Sequence, residues 1–142
     1  MKKILLGALL IVGIGFAQAQ KTKPTGFPLS SSLVSGQHVF VSGQIGMNPQ
    51  TSKLANESFE AEVRQVMENL KSELAKHNLK LDDLVSTTIY LTDMKNYDQL
   101  NEIYRTYFDK RFPTRTCIAV LALPANASVE ISGIAELKSK KK

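Results

Sequence analysis

Tryptophan is absent, cysteine occurs once and histidine twice in 142 residues. One cysteine excludes an intramolecular disulfide. Cys117 with His38 and His77 is too small a stock for a closed zinc site. There is no glycine-rich phosphate loop and no HExxH, and Ser42-Gly43-Gln44 lacks the surroundings of a hydrolase nucleophile elbow. The length leaves room for one core, which excludes two-domain enzymes and large cofactor-binding folds. What is present is a 43% share of apolar residues, suited to a folded globular chain.

Charge is unevenly placed. The formal net charge is +5, but Lys2 and Lys3 at one end and Lys138, Lys140, Lys141 and Lys142 at the other supply six positive charges. The body between them carries −1. Residues 138–142 read as a solvated lysine tail, the competing reading being a weak contact with anionic lipid or nucleic acid. Residues 1–19 join two lysines, an apolar run over 4–16 and Ala17-Gln18-Ala19, an A-x-A cleavage pattern. The run is about 13 residues, shorter than the roughly 20 that span a hydrocarbon core. The segment is therefore expected to be a cleavable export signal, with a mature chain from Gln20, a periplasmic or secreted location and no stable membrane anchor.

One domain is expected over residues 20–137. Residues 20–37, with Pro24, Gly26, Pro28 and a serine cluster, suggest an irregular or edge segment. Residues 38–45 (HVFVSGQI) predict a strand, with Gly43 marking a bulge or a close backbone approach. Phe59, Val63, Val66, Leu70 and Leu74 form one apolar stripe on a helix over 57–77, with Asn56 as its cap and Glu57 and Glu60 at its positive end. Residues 85–91 predict a second strand. Leu100, Ile103, Tyr104, Tyr107 and Phe108 mark a second helix over 97–110, capped by Asn96 and stopped by Pro113. Two strands follow, over 115–121 and 127–137, whose short link LPAN favours an antiparallel pair. Two helices with one apolar stripe each can cover one face of a mixed sheet, an α+β architecture. The other face must meet water or another subunit, and in so small a domain this suggests an oligomer.

The candidate chemistry lies on the last two strands. Arg115, Cys117, Ala119 and Leu121 share one face; Thr116, Ile118 and Val120 share the other and suit a core. Glu130, Ser132 and Ile134 oppose Val129, Ile131, Gly133 and Ala135. If the strands pair with Cys117 facing Glu130, a guanidinium, a thiol and a carboxylate line one cleft. Arginine is a planar fork that can hold a substrate carboxylate through two hydrogen bonds, each worth about 1.5–3 kcal/mol. A glutamate can orient and deprotonate a water. The pattern alone also fits a surface Arg–Glu pair worth about 0–1 kcal/mol, and Cys117 as a small buried residue.

Residues 112–131 (FPTRTCIAVLALPANASVEI), with 39–49 (VFVSGQIGMNP), 87–101 (TTIYLTDMKNYDQLN) and the intervening helix, resemble the Rid family, the reactive intermediate deaminases also called the YjgF family. The likeness spans residues 27–136. It implies a chorismate-mutase-like α+β fold and a homotrimer with ligand clefts between subunits. It also implies hydrolysis of 2-imino acids, such as 2-iminobutanoate and 2-iminopropanoate, to 2-oxo acids and ammonia, without metal or organic cofactor. By this resemblance Arg115 matches the clamp on the substrate carboxylate and Glu130 the group that positions the attacking water. Cys117 matches a residue beside the ligand, and Asn101 and Gly43 match further positions lining the cleft. Two features depart from the family. Leu29, in Phe27-Pro28-Leu29, stands where deaminating members carry tyrosine, so a phenol is lost and the pocket becomes more apolar. An exported deaminase also needs a source of imines outside the cytoplasm. The alternative is a non-catalytic trimer that binds small carboxylates, such as 2-oxo acids, in the same cleft. The body charge of −1 argues against nucleic acid as partner.

Overall fold

The computed structural model describes residues 28–138. The expected export signal over 1–19 and residues 139–142 of the lysine tail lie outside them.

Within these bounds the chain runs β1 (Ser32–Ser35), β2 (His38–Ile45), a small hairpin of β3 (Met47–Asn48) and β4 (Lys53–Leu54), α1 (Phe59–Ala75), β5 (Leu84–Leu91), α2 (Tyr97–Arg105), β6 (Thr114–Ala119) and β7 (Val129–Glu136). The hairpin turn is fixed by Asn48, whose Oδ1 accepts from the N–H groups of Gln50 and Thr51. The apolar stripe of α1 is buried as its spacing requires, from Val63 through Val66 and Leu70 to Leu74. The helix is capped by Ser58, not by Asn56: extended backbone at Ser58 lets its Oγ accept from the N–H of Ala61 at 3.1 Å. Asn78, in the left-handed region at φ 59°, ends it, and the N–H of Leu79 reaches back to the Leu74 carbonyl.

The second helix is shorter than its apolar pattern suggests. It stops at Arg105 because Thr106 turns its hydroxyl onto the Ile103 carbonyl at 2.7 Å and Asp82 accepts from the N–H groups of Asp109 and Lys110. Asn96 makes no capping bond. Asp93 instead accepts from the N–H of Lys95 and caps a single tight turn, Met94–Asn96, that leads into α2.

Five strands form one sheet in the order β1-β2-β7-β5-β6, with β5 and β6 parallel and the other pairs antiparallel. Both helices cover one face. The core between them joins Val39, Val41, Ile89, Leu91, Val129 and Ile131 of the sheet to Val66, Met67, Leu70, Leu100 and Ile103 of the helices. The expected antiparallel pairing of the last two strands is overturned: β5 lies between them. Helix α2 carries the chain back over the sheet, so β6 lands parallel to β5 on the outer edge. The link that follows then arches over the end of β5, where the N–H of Val120 donates to the Leu91 carbonyl and the N–H of Thr92 to that of Ser128. Only β5's other side is left for β7.

The sheet's second face is open. Leu33, Phe40 and Ile118 are exposed there. Ile118, expected in the core with Thr116, is thus on the outside, and Arg115 and Cys117 point to the helical side.

Candidate functional site

The residues singled out in the sequence gather into two clusters. The first is built on β6 and α2. Arg115 Nη2 donates to Asn101 Oδ1 at 2.7 Å and to the Tyr97 hydroxyl at 3.2 Å. The guanidinium carbon lies 5.2 Å from the ring centre of Tyr104 and 5.6 Å from that of Tyr97, within cation–π range. Tyr97, Asn101 and Tyr104 follow at steps of four and three, so one face of α2 presents all three to the arginine. The Tyr104 hydroxyl bonds Thr87 Oγ1 at 3.0 Å, which fixes the ring from below. Burial pushes the Tyr104 phenol up, against the pull of Thr87 and Arg115, so it stays protonated.

Arg115 forms no ion pair with any described residue, and its Nε and Nη1 donors bond none. The fork is oriented yet has donors to spare. Beside it opens a cavity of about 400 Å³ lined by Asn101, Tyr104, Arg105, Phe112, Pro113 and Arg115. Cys117 shares Arg115's face of β6 and is half-buried. Burial raises its thiol, opposed by Arg115 and by the backbone at Ile118. At neutral pH it is a compact thiol, unlike the thiolate a nucleophile requires.

The second cluster is built on β7 and β2. Glu130 points to the open face, in register with Tyr90 on one side and Ile45 on the other. The register of β2 against β7 shifts between Val41 and Gln44, so Gly43 sits in a bulge. The Glu130 side chain lies across that glycine: a Cβ there would stand 2.6 Å from Glu130 Cδ and overlap the carboxylate oxygen. Both readings of Gly43 in the sequence, bulge and close approach, hold. Glu130 has no hydrogen bond or ion pair to a described residue, and burial raises its carboxyl above the ordinary range. Ser42 donates from its N–H to the Ser31 carbonyl and from its Oγ to the Ser30 carbonyl. The segment carrying Leu29 is thereby tied to the bulge, and Leu29 itself is 57% exposed.

The two clusters do not meet within one chain. Cys117 pairs with Ile89 and Arg115 with Thr87, all on the helical side, whereas Glu130 shares the open face with Tyr90 and Ile118. The expected register of Cys117 against Glu130 is wrong because β5 separates their strands. Asn101 joins Arg115, and Gly43 joins Glu130. The sequence pattern counts Tyr104 only as part of the apolar face of the second helix and does not single out Tyr97; their spacing around Asn101 is the available sign that they orient a cation.

Comparison with known proteins places the chain in a family. A family model described as Endoribonuclease L-PSP matches residues 20–137. A RutC family protein of Aquifex aeolicus is 42% identical over 110 residues, covering 76% of this chain and 87% of that protein. The 2-iminobutanoate/2-iminopropanoate deaminase of Homo sapiens is 32% identical over 108 residues, covering 76% and 79%. The crystal structure of E. coli TdcF with bound serine matches with a TM-score of 0.76 at 30% identity, covering 85% of this chain and 97% of that one. The chain belongs to the Rid (YjgF/RidA) family and has its fold, a mixed sheet with two helices on one face.

Proposed function

We propose that the protein is an exported Rid-type deaminase that hydrolyses 2-imino acids to 2-oxo acids and ammonia in clefts between the subunits of a homotrimer. The observation that carries this reading is Arg115: a half-buried guanidinium, aimed by Asn101 and Tyr97, with no carboxylate partner among the described residues and free donors beside a cavity. A carboxylate on the substrate completes it. The deaminase relative and the serine-bound relative support a small amino-acid-like ligand.

Arg115 holds the substrate carboxylate and so fixes the reacting carbon. Water attacks the protonated imine carbon while giving a proton to Glu130. The C=N bond becomes single and its electron pair moves to nitrogen. Glu130 returns the proton to that nitrogen and then takes the hydroxyl proton as the C–N bond breaks and the oxygen's electron pair forms the carbonyl. The released ammonia carries that proton away as ammonium and leaves Glu130 ionised. A half-buried carboxylate with a raised pKa is a stronger base than a fully exposed one and is drawn to a cationic substrate. Arg115 and Glu130 lie on opposite faces of one sheet, so in this mechanism they come from different protomers. The open face with Leu33, Phe40 and Ile118 gives the protomers an apolar surface on which to associate.

The test is to generate 2-iminobutanoate from 2-aminobutanoate with an amino acid oxidase and follow its loss by trapping with semicarbazide. The protein accelerates hydrolysis, and Arg115→Ala abolishes the acceleration. Equal rates with and without protein would remove the reading. The absence of the family's phenol at Leu29 favours a second reading, a trimer that binds 2-oxo acids without turnover. Calorimetric binding of 2-oxobutanoate together with no acceleration selects it. The export part of the proposal rests on the sequence alone, two lysines, a short apolar run and Ala17-Gln18-Ala19. N-terminal sequencing of protein from a periplasmic fraction, expected to start at Gln20, tests that part.

A further inference from the structure

A second cation stands in the wall of the cavity beside Arg115. Arg105, the last residue of α2, donates from Nε to the main-chain oxygen of Asn101 at 3.4 Å, while Arg115 takes the side-chain oxygen of the same residue at 2.7 Å. One asparagine thus tethers two guanidinium groups at one cavity. The ion pairs among the described residues use Arg64, Lys71, Lys76 and Lys138, and neither Arg105 nor Arg115 enters one. Among the described residues no carboxylate lines the cavity. Its remaining walls are the rings of Phe112, Pro113 and Tyr104. A volume of about 400 Å³ falls within the roughly 300–1,000 Å³ typical of small-molecule sites.

A monocarboxylic acid satisfies Arg115 and leaves Arg105 without an anion. A short dicarboxylic acid satisfies both, with its carbon chain against Phe112 and Pro113. We propose that Arg105 is a specificity-determining residue and that the cavity favours dicarboxylic 2-oxo and 2-imino acids, the first carboxylate on Arg115 and the distal one on Arg105. This rests on the reading of Arg115 as a carboxylate clamp and names the substrate class of that site. The competing role for Arg105 is to offset the negative end of the α2 dipole. That role affects thermal stability and leaves ligand selectivity unmoved.

The experiment is calorimetric titration of the protein, at physiological ionic strength so that exposed charges are screened, with 2-oxoglutarate and 2-oxobutanoate. The wild-type protein binds 2-oxoglutarate at least about tenfold more tightly, a difference of about 1.4 kcal/mol. Arg105→Met brings the ratio of affinities close to one, and Arg105→Lys keeps part of it. A wild-type ratio of one or less, or an undiminished ratio in Arg105→Met, overturns the proposal. Turnover of 2-iminobutanoate without any dicarboxylate preference overturns it while leaving the deaminase standing. A dicarboxylate preference lost in Arg105→Met, with no imine turned over, supports it and removes the deaminase. Binding of neither acid overturns it, and the rate assay alone then decides the deaminase.

Discussion

Glu130 owes its position to a neighbour without a side chain. Gly43→Ala puts a methyl group where the carboxylate lies, and the flexible end of Glu130 moves aside at little cost to the fold. The melting temperature is expected to stay within a few degrees while imine hydrolysis falls by about tenfold or more, as a misplaced general base predicts. A large drop in melting temperature would show that the bulge, not the carboxylate, is what the glycine serves. The raised carboxyl has two further consequences. In the proposed mechanism the rate requires ionised Glu130, so activity is expected to fall on acidification at a pH above the ordinary carboxylate range. Stability runs the other way. Below the unfolded-state pKa the group is protonated in both states and contributes no penalty. As pH rises through the folded-state pKa, burial disfavours the ionised native form and stability is lost. Glu130→Gln mimics the protonated form at every pH. Its melting temperature is therefore expected to exceed that of the wild type at pH 7 and to match it near pH 3, measurable by circular dichroism. A constant difference across pH would remove the burial argument.

Between elements, the tie that holds β7 to α1 is a buried carboxylate. Glu62, 1% exposed, accepts from the N–H of Ser128 at 2.7 Å, two residues ahead of Glu130. Gly46 makes room for it, since a Cβ there would lie 2.6 Å from Glu62 Cγ. Glu62→Leu leaves the Ser128 N–H without its partner and is expected to cost about 1–3 kcal/mol in urea unfolding at fixed protein concentration. Glu62→Gln keeps an acceptor and costs less; equal losses for the two would deny the bond its role. Nothing in the sequence marked Glu62, which reads as one more acidic residue early in a helix. The α1 stripe, the β2 strand and the Gly43 bulge were legible because each depends on local periodicity and glycine sterics. Strand order was not. The LPAN link looks like a hairpin turn, and only the path of α2, which sends β6 to the edge, reveals that the link crosses the end of β5. The same error put Arg115 and Glu130 in one cleft of one chain, whereas their alternation along each strand was read correctly.

At the scale of the whole molecule, the opposed faces of Arg115 and Glu130 make the proposed chemistry depend on assembly. If each cleft takes Arg115 from one protomer and Glu130 from the next, a single chain carries two half-sites and no site. Ile118→Asp places a charge on the open face, on the edge strand beyond Tyr90 from Glu130. It is expected to shift the protein to a smaller species in light scattering and to remove hydrolysis, although both clusters remain. Complementation then separates this from simple damage. Arg115→Ala and Glu130→Gln are each expected to be inactive. When the two are co-expressed and mix freely, a cleft is whole whenever the Glu130→Gln chain supplies the arginine and the Arg115→Ala chain the glutamate, about one cleft in four. Activity near a quarter of the wild-type value over the whole population, which is about a third in the mixed trimers that native mass spectrometry distinguishes, is the expected result. A cleft built within one protomer cannot be restored this way, because every chain in the mixture lacks one of the two groups. Mixed assemblies as inactive as their parents would therefore return Arg115 and Glu130 to unconnected roles on the two sides of the sheet.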